Sequence, residues 1–549
     1  MIQCKAEVHN SKWHMECGIL AFSSKSRVGG TGVPFLSRGR PPGVVHTKAP
    51  PRGKAPPRSQ DCWAKVRAVE GAADGTCAWE LVEILGPVGD AFVEQTVRLC
   101  VHRIQPCKYP PELSALSEDR DVAEQDADAH AGADNVDGAT GRRFDAYTFD
   151  GPGTTDMDDA LSYEPPGGPG MPARLGIHVT DTTSLTASAA SAAQASDVLY
   201  EWARERASSA YPSPMVRGPS RRPVHMLPGN LGSLVAAAST PRSHPCISLV
   251  LELEHGSGGP VPGPGPSVVP SARVTIVENA EYARMPAACP EMHAALAALA
   301  GTMDPAEQVA WAMVYYNTTF ADAFANGAGE GPTAAGTHGT RGCDPIYRVL
   351  EEGDGSVGAR YSRDAGAGHS AFGGKPYVHM TSPMRRFADL HNQRVFKGML
   401  ALPRSPVDLD ALNARMDAVR AFHREDAVAC LAYACRDRPR RVVVEAVRGR
   451  ARGDDGDDDG TPALSVRLAL VQDGGGGERV GSFRLPLHDS YYAEPLAQKL
   501  HDGGRHEVEL HGVIRQGRAQ LRIRLMDDAG GVDIGGVERK VGHMDGRAS

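Results

Sequence analysis

The sequence predicts a multidomain α+β protein in which a central block of strands and helices is flanked by two small, strand-rich pieces. Three observations predict it. At 549 residues with 41% hydrophobic side chains, the chain is long enough for three or four domains with sizeable cores. Residues 1–110 and 439–530 alternate apolar and polar positions in short runs bounded by turn residues, the pattern of half-buried strands. Residues 144–438 mix such strands with helical segments.

From the N-terminus, Cys17 to Phe22, Trp63 to Arg67 and Trp79 to Val82 read as barrel strands. The interval 37–60 is a Pro/Gly-rich insertion carrying Arg38, Arg40, Lys48, Arg52, Lys54 and Arg58 and no acid. Residues 111–143 read as an acidic linker, with Glu118, Asp119, Asp121, Glu124, Asp126, Asp128, Asp134 and Asp137 against a single arginine in 118–137. In the central block Tyr147 and Phe149 mark one strand and Leu161 and Tyr163 another, with Gly151-Pro152-Gly153 as the turn between them. Further on, Pro383 suits the first turn of a helix, with Thr381 or Ser382 as its N-cap. The stretch HREDAVACLAY, containing Glu425, is a second helix. Arg441 to Val447, Ala463 to Leu468 and Ala519 to Leu525 alternate as strands of the C-terminal barrel, and residues 531–549 read as a loose, glycine-rich tail.

Four aspartates fall within ten residues: Asp150, Asp156, Asp158 and Asp159. Carboxylates this close raise one another's pKa unless a cation neutralises them. Hard Mg²⁺ takes a few such oxygens, with water and substrate phosphate completing its shell. The flanking strands and the tight turn form a loop able to aim several carboxylates at one point. A denser acidic run, Asp454, Asp455, Asp457, Asp458 and Asp459, lies among glycines with no apolar frame and reads as a solvated loop.

A second stretch, YVHMTSPMRRFADLHNQR at 377–394, changes the weight of the first. Together the two resemble the catalytic signatures of the ribonuclease II/ribonuclease R family, the RNB domain. The first signature is an aspartate at a strand end followed by D-x-D-D and an apolar run, here Asp150 and then Asp156 to Ser162. The second, Y-x-H-x-T-S-P-[IM]-R-[RK]-[YF]-x-D, matches Tyr377 through Asp389 at every fixed position, about 220 residues later. Segments between them agree in order. Gly176 to Asp181 resembles the family's V-H-I-A-D strand, Arg206 to Tyr211 its R-x-x-S-x-Y, and Met226-Leu227-Pro228 with Gly232-Ser233-Leu234 its M-L-P…C-S-L. Trp311 to Ala321, with Asn317, resembles a family helix.

The resemblance implies a hydrolytic 3′→5′ exoribonuclease that releases nucleoside 5′-monophosphates from single-stranded RNA. It implies a single divergent OB-type barrel at 1–110, an RNB catalytic domain at 144–438 and an OB-type RNA-binding barrel at 439–530. Asp150, Asp156, Asp158 and Asp159 would hold Mg²⁺, with Mn²⁺ a possible substitute, and Asp158 and Asp159 would serve the chemistry directly. Two ions about 4 Å apart can activate water and offset charge on the leaving oxygen. Arg385 would bond the scissile phosphate in the fork geometry of guanidinium, Arg386 would share that role or anchor a neighbouring phosphate, and Tyr211 would stack on the 3′-terminal base. Glu425 resembles a family glutamate near the RNA path. Asp181 closes a strand in either a structural or a substrate-binding role. His178 and His379 read as hydrogen-bonded wall residues, not ligands.

The chain departs from the family at THGTRGCDPIYRVL, 337–350, where a basic-x-His pattern and an aromatic clamp are expected and Arg341 replaces part of them. The rival reading is therefore an RNA-binding protein that keeps the fold without turnover. A net charge of −8 is unusual for an RNA-binding chain, but the catalytic acids count toward it and charge distribution outweighs the sum. The basic 37–60 insertion is either a plain solvated loop or a non-specific contact to RNA phosphates. Eleven cysteines carry no C-x-x-C pair, and neither a signal peptide nor a transmembrane run is visible. The expected compartment is intracellular and reducing, the cytoplasm first with the nucleus open. No membrane partner is expected.

Overall fold

The computed structural model describes residues 15–21, 32–37, 43–46, 60–69, 78–104, 108–116, 142–168, 170–186, 192–215, 219–228, 231–236, 242–256, 259–263, 265–326, 344–350, 359–398, 406–448, 464–470, 480–486, 505–515, 518–525 and 532–536. The basic residues of the 37–60 insertion, the acids of 118–137, Arg341 and the acidic run at 454–459 lie outside the described residues. The chain divides into two units. The first comprises residues 1–106, 210–224 and 418–549, the second residues 107–209 and 225–417.

The first unit opens with the expected barrel. Strands β1 (Met15–Leu20), β2 (Gly32–Ser37), β3 (Gly43–His46), β4 (Cys62–Val69) and β5 (Ala78–Pro87) close in the order β1-β2-β3-β5-β4, with β3 and β5 parallel. Helix α1 (Ala91–Val101) follows, started by Asp90, whose carboxylate accepts the Val93 N–H at 2.9 Å. Val93 and Val97, four residues apart and so on one helix face, bury Trp63 of β4. The indole N–H has no water to reach there and donates to Glu94 Oε1 at 2.6 Å.

The second unit is built on strands β6 (Arg143–Asp150), β7 (Asp159–Glu164) and β8 (Ala173–Thr180), helix α2 (Ala192–Arg206), and strands β9 (Ser243–Gly256), β10 (Gly259–Pro262) and β11 (Ser267–Glu281). Then come α3 (Pro290–Ala300), α4 (Pro305–Ala325), the short pair β12 (Tyr347–Val349) and β13 (Arg360–Ser362), and α5 (Phe387–Phe396). The sheet runs β10-β9-β11-β6-β7-β8, and β8 also pairs with β9, so it curls back on itself. Alternation assigns the two faces. Leu161, Leu175, Ile177 and Val179 join Leu296, Ala312 and Tyr316 of α3 and α4 in one core. Phe144, Ala146, Ala160, Val250 and Val274 form another on the opposite face. His178, fully buried, lies between Ser248 Oγ (2.7 Å) and Ser162 Oγ (2.8 Å), a hydrogen-bonded wall residue. Residues 111–116, read from sequence as the start of a linker, are helical, because Leu113 and Leu116 pack into a core with Leu199 and Phe387.

Helix α6 (Leu409–Cys435) begins in the second unit and ends in the first. Strands β14 (Arg440–Arg448), β15 (Leu464–Leu470), β16 (Val480–Pro486), β17 (Arg505–Arg515), β18 (Arg518–Leu525) and β19 (Val532–Gly536) complete the first unit. Where the sequence suggests a barrel, the described strands form a six-stranded antiparallel sheet, β16-β15-β14-β17-β18-β19. β19 lies inside the stretch read as a tail, paired to β18.

Candidate active site

β6 ends in Asp150 and antiparallel β7 begins at Asp159, so two adjoining strands bring the first and last of the four aspartates to one end of the sheet. The loop between them is held at several points. Gly153 takes φ +78°, open to glycine, and Thr154 closes the turn by donating its N–H and Oγ1 to Gly151 O at 3.3 and 2.9 Å. Ser233 Oγ accepts the Met157 N–H and donates to Thr155 O, both at 3.2 Å, while Leu234 N–H reaches Met157 O at 2.9 Å. Thr180 N–H donates to Asp158 O at 2.9 Å. The G-S-L segment thus acts as a backbone clamp on the acidic loop.

Asp158 is 2% exposed, and both its oxygens are used. Oδ1 accepts the Met384 N–H at 2.9 Å and Oδ2 accepts Arg385 Nε at 3.1 Å, joining the two sequence signatures side chain to backbone and side chain to side chain. Arg385 Nη2 donates to Ser382 Oγ at 3.0 Å, and the side chain remains 44% exposed. Its guanidinium therefore spans from a buried carboxylate to solvent, where a phosphate can reach it. Asp156 Oδ2 lies 3.1 Å from His225 Nδ1, within hydrogen-bond distance.

The turn that presents Arg385 differs from the expected one. Pro383 does not open a helix capped by Thr381 or Ser382. Residues 383–385 form a turn, and α5 starts at Phe387 with Arg386 as an extended N-cap, φ −138° and ψ 125°. Arg386 is drawn out straight by an isolated bridge to Ser208, flanked by Ser209 N–H to Arg385 O (3.0 Å) and Phe387 N–H to Ala207 O (2.8 Å). Its guanidinium pairs with fully buried Asp389 at 2.8 Å, and the same Asp389 oxygen accepts the Ser382 N–H at 2.7 Å. Arg386 thus braces the turn from beneath.

Other polar residues of the second signature serve the same frame. Asn392 bonds Ile346 N–H, Ile346 O and His379 O; Gln393 bonds Thr182 and Thr180 O. Asn317 of α4 accepts the Met380 N–H at 2.9 Å and donates to Tyr377 Oη at 3.0 Å. His379 Nδ1 meets Tyr361 Oη at 2.9 Å. Asp181 takes Thr183 N–H, Ser184 Oγ and Lys397 Nζ at 2.6–3.0 Å, which fills its acceptor sites and gives it the structural role. Sequence reasoning missed His225, Ser233 and Asp389 as supports. Ser233 lies within the G-S-L segment and Asp389 closes the second signature, so both left a signal, whereas His225 left none.

Tyr211 and Glu425 belong to the first unit, whereas the aspartates and both arginines belong to the second. Tyr211 N–H donates to His423 Nε2 at 3.0 Å, and the two rings lie 6.2 Å apart. Glu425 Oε2 sits 3.0 Å from His102 Nε2. Its neighbour Asp426 is fully buried and holds the segment after Tyr211, accepting from Ser213 N–H (2.7 Å), Gln95 Nε2 (2.9 Å) and Arg98 Nε (2.9 Å).

Burial dominates the electrostatics of the acids. It pushes the Asp150 carboxyl up to about 6, against the opposing pull of Arg385 and a Thr148 hydrogen bond. Asp158 is pushed up to about 7 by burial, with Arg385 and the Met384 N–H opposing and Asp156 and Asp389 adding to the rise. Asp159 is pushed up to about 8 by burial and then by Asp150 and Asp158. Desolvated, mutually repelling, all-oxygen groups of this kind fit a hard divalent cation. Among the described residues no group of three or more acidic, histidine or cysteine side chains is gathered as a ready metal cage. Asp158 is bound to Met384 and Arg385, and Asp156 to His225.

A three-dimensional comparison decides the fold. Ribonuclease R from Mycoplasma genitalium in its apo form aligns with a TM-score of 0.58 at 14% identity, covering 92% of this chain and 89% of that one. The fold is that of ribonuclease R. The same Mycoplasma enzyme in complex with double-stranded RNA aligns at a TM-score of 0.55 and 14% identity, covering 92% and 95%. Yeast Ssd1, described as a pseudonuclease, aligns at 0.55 and 12%, covering 94% and 83%. The RNB fold is thus shared with a ribonuclease and with a pseudonuclease. Neither a family model nor a curated protein sequence matches the chain. Among the described residues no helix is long and apolar enough to cross a membrane.

Proposed function

We propose that the chain is a metal-dependent 3′→5′ exoribonuclease that hydrolyses single-stranded RNA to nucleoside 5′-monophosphates. The observation that carries this reading is Asp158, whose two carboxylate oxygens receive Met384 N–H and Arg385 Nε and so join the D-x-D-D and T-S-P-M-R-R signatures in one place. Asp150, Asp156, Asp158 and Asp159 would hold Mg²⁺, or Mn²⁺ in its stead. Bound divalent ions would supply an activated water and charge compensation at the leaving oxygen. Arg385 would place the scissile phosphate through its exposed guanidinium edge, aimed where negative charge develops. Arg386 keeps that edge in position through Asp389. Tyr211 as the stacking aromatic and Glu425 as a carboxylate near the RNA rest on the sequence resemblance. The Mycoplasma enzyme, described in complexes with ribose-methylated single-stranded RNA and with double-stranded RNA, supports RNA as the partner.

A second reading, an RNA-binding protein without turnover, is favoured by one observation: the likeness to yeast Ssd1, a pseudonuclease, is as good as the likeness to the RNA-bound enzyme. The test uses 5′-labelled single-stranded RNA with Mg²⁺ or with EDTA. Shortening from the 3′ end in Mg²⁺ alone, with monophosphates released, is the expected result. Binding without shortening in both Mg²⁺ and Mn²⁺ favours the second reading.

A further inference from the structure

One pair of side chains in the first unit takes no part in the proposed hydrolysis and has chemistry of its own. Cys17 lies on β1 directly opposite Lys65 of β4, and Ile19 lies opposite Trp63. Directly opposed residues share a sheet face, so Cys17, Ile19, Trp63 and Lys65 all lie on the face that α1 covers. Cys17 packs against the cluster of Trp63, Val93 and Val97. On α1, Cys100 is three residues beyond Val97 and seven beyond Val93, which continues their stripe over the barrel. The two thiols meet there, in a hydrogen bond between their sulfurs. Both residues are partly exposed, so a small oxidant can reach them.

The surroundings favour a thiolate. The Cys100 thiol is lowered to about 7, first by the hydrogen bond with Cys17 and further by the positive charges of Lys65 and Arg221, while burial and Glu83 oppose. Cys100 sits in the last turn of α1, where the helix dipole disfavours an anion, so the two cations offset that end. Lys65 is itself oriented by Glu83, 3.1 Å away on β5. Cys430 behaves oppositely: burial and the neighbouring Asp426 push it up to about 12 against the pull of Arg98.

We propose that Cys17 and Cys100 are a redox modification site that closes to a disulfide between β1 and the end of α1. In the forward reaction the Cys100 thiolate attacks a hydroperoxide oxygen, the O–O bond breaks, and the released alkoxide or hydroxide takes a proton. Cys17, as thiolate, then attacks the resulting sulfenic sulfur, forming the S–S bond and expelling water after protonation. Two thiols lose two electrons and two protons, and the peroxide is reduced to water and an alcohol, or to two waters. A dithiol reductant reverses the change by exchange. The device ties the barrel to its covering helix, so oxidation stiffens this junction.

The test is a peptide map of the 549-residue chain. The folded protein is exposed to hydrogen peroxide, remaining thiols are alkylated, and the protein is digested without reduction. The expected result is one cross-linked peptide joining Cys17 to Cys100, about 2 Da lighter than the sum of its parts and lost on reduction. Cys100→Ser should remove it while leaving alkylation of the other cysteines unchanged. Cys17 and Cys100 both recovered alkylated, or Cys100 found as sulfinic or sulfonic acid, would overturn the proposal. So would Cys100 joined to any other cysteine. The wild-type map decides alone if the serine variant does not fold.

Discussion

At the residue scale the candidate site consists of carboxylates that burial makes reluctant to ionise. The ordinary value of an aspartate here is 3.8, and the folded values of Asp150, Asp158 and Asp159 lie near 6, 7 and 8. Between about pH 4 and pH 8 these three carboxyls therefore hold more protons in the folded chain than in the unfolded one, and their contribution to stability falls as pH rises through that window. A cation binding the ionised groups offsets this loss. Mg²⁺ is accordingly expected to raise the melting temperature more at pH 8 than at pH 5, in scanning calorimetry against EDTA; an equal gain at both would contradict the assignment. Asp159→Asn removes the most strongly perturbed charge. It is expected to melt higher than wild type in EDTA at pH 8 while losing on the order of 10²-fold or more in RNA hydrolysis. A variant that melts lower and stays active would remove Asp159 from the site. The aspartates were legible in the sequence because charge density within an apolar frame is a local pattern. His225 beside Asp156 was not, since nothing local to VHMLPG shows that its ring reaches a carboxylate 69 residues earlier in the chain.

At the element scale the turn at 382–386 and helix α5 decide where Arg385 points. Asp389 joins them, accepting Ser382 N–H and Arg386 Nη2 with one oxygen. Asp389→Ala would leave a largely buried guanidinium without its counter-charge, at a cost of about 3 kcal/mol. Calorimetry should show that loss, with turnover falling as the turn loosens. A variant as stable as wild type would show that the pair is idle. The sequence pattern suggested a helix from Pro383, and local propensity favours it. The tertiary bridge between Ser208 and Arg386 prevails by holding Arg386 extended, a long-range contact invisible in a one-dimensional pattern. Glycine at 176 shows the same kind of hidden constraint. A Cβ there would collide with Ser162 Oγ and the His178 ring, so β7 and β8 can pair only with glycine at that position.

At the scale of the whole molecule, most of the architecture could be read in advance because it depends on repeated patterns. In the N-terminal barrel β1, β4 and β5 stand where the pattern puts strands, whereas β3 lies inside the stretch read as an insertion; β6, β7, β14, β15 and β18 stand where alternation puts them, and β8 and α4 where the family resemblance does. The C-terminal sheet was legible as strands but not in its connections, since strand pairing is set by non-local contacts. The 111–116 helix was masked by the acidic composition that follows it. The proposed division of labour between Tyr211 and the aspartates can be tested. If Tyr211 grips the RNA end and the aspartates cut, the two roles should separate on mutation. Tyr211→Ala is expected to leave longer end products, visible on a sequencing gel, with a smaller change in the rate of early cleavage. A product ladder indistinguishable from wild type would remove Tyr211 from the RNA path.

The most direct test compares wild type and Asp158→Asn on the same 5′-labelled single-stranded RNA in Mg²⁺, with binding followed alongside cleavage. The expected result is progressive shortening from the 3′ end by wild type, and retained RNA binding without shortening by the variant. Equal shortening by both proteins, or binding without shortening by wild type in Mg²⁺ and Mn²⁺, would contradict it.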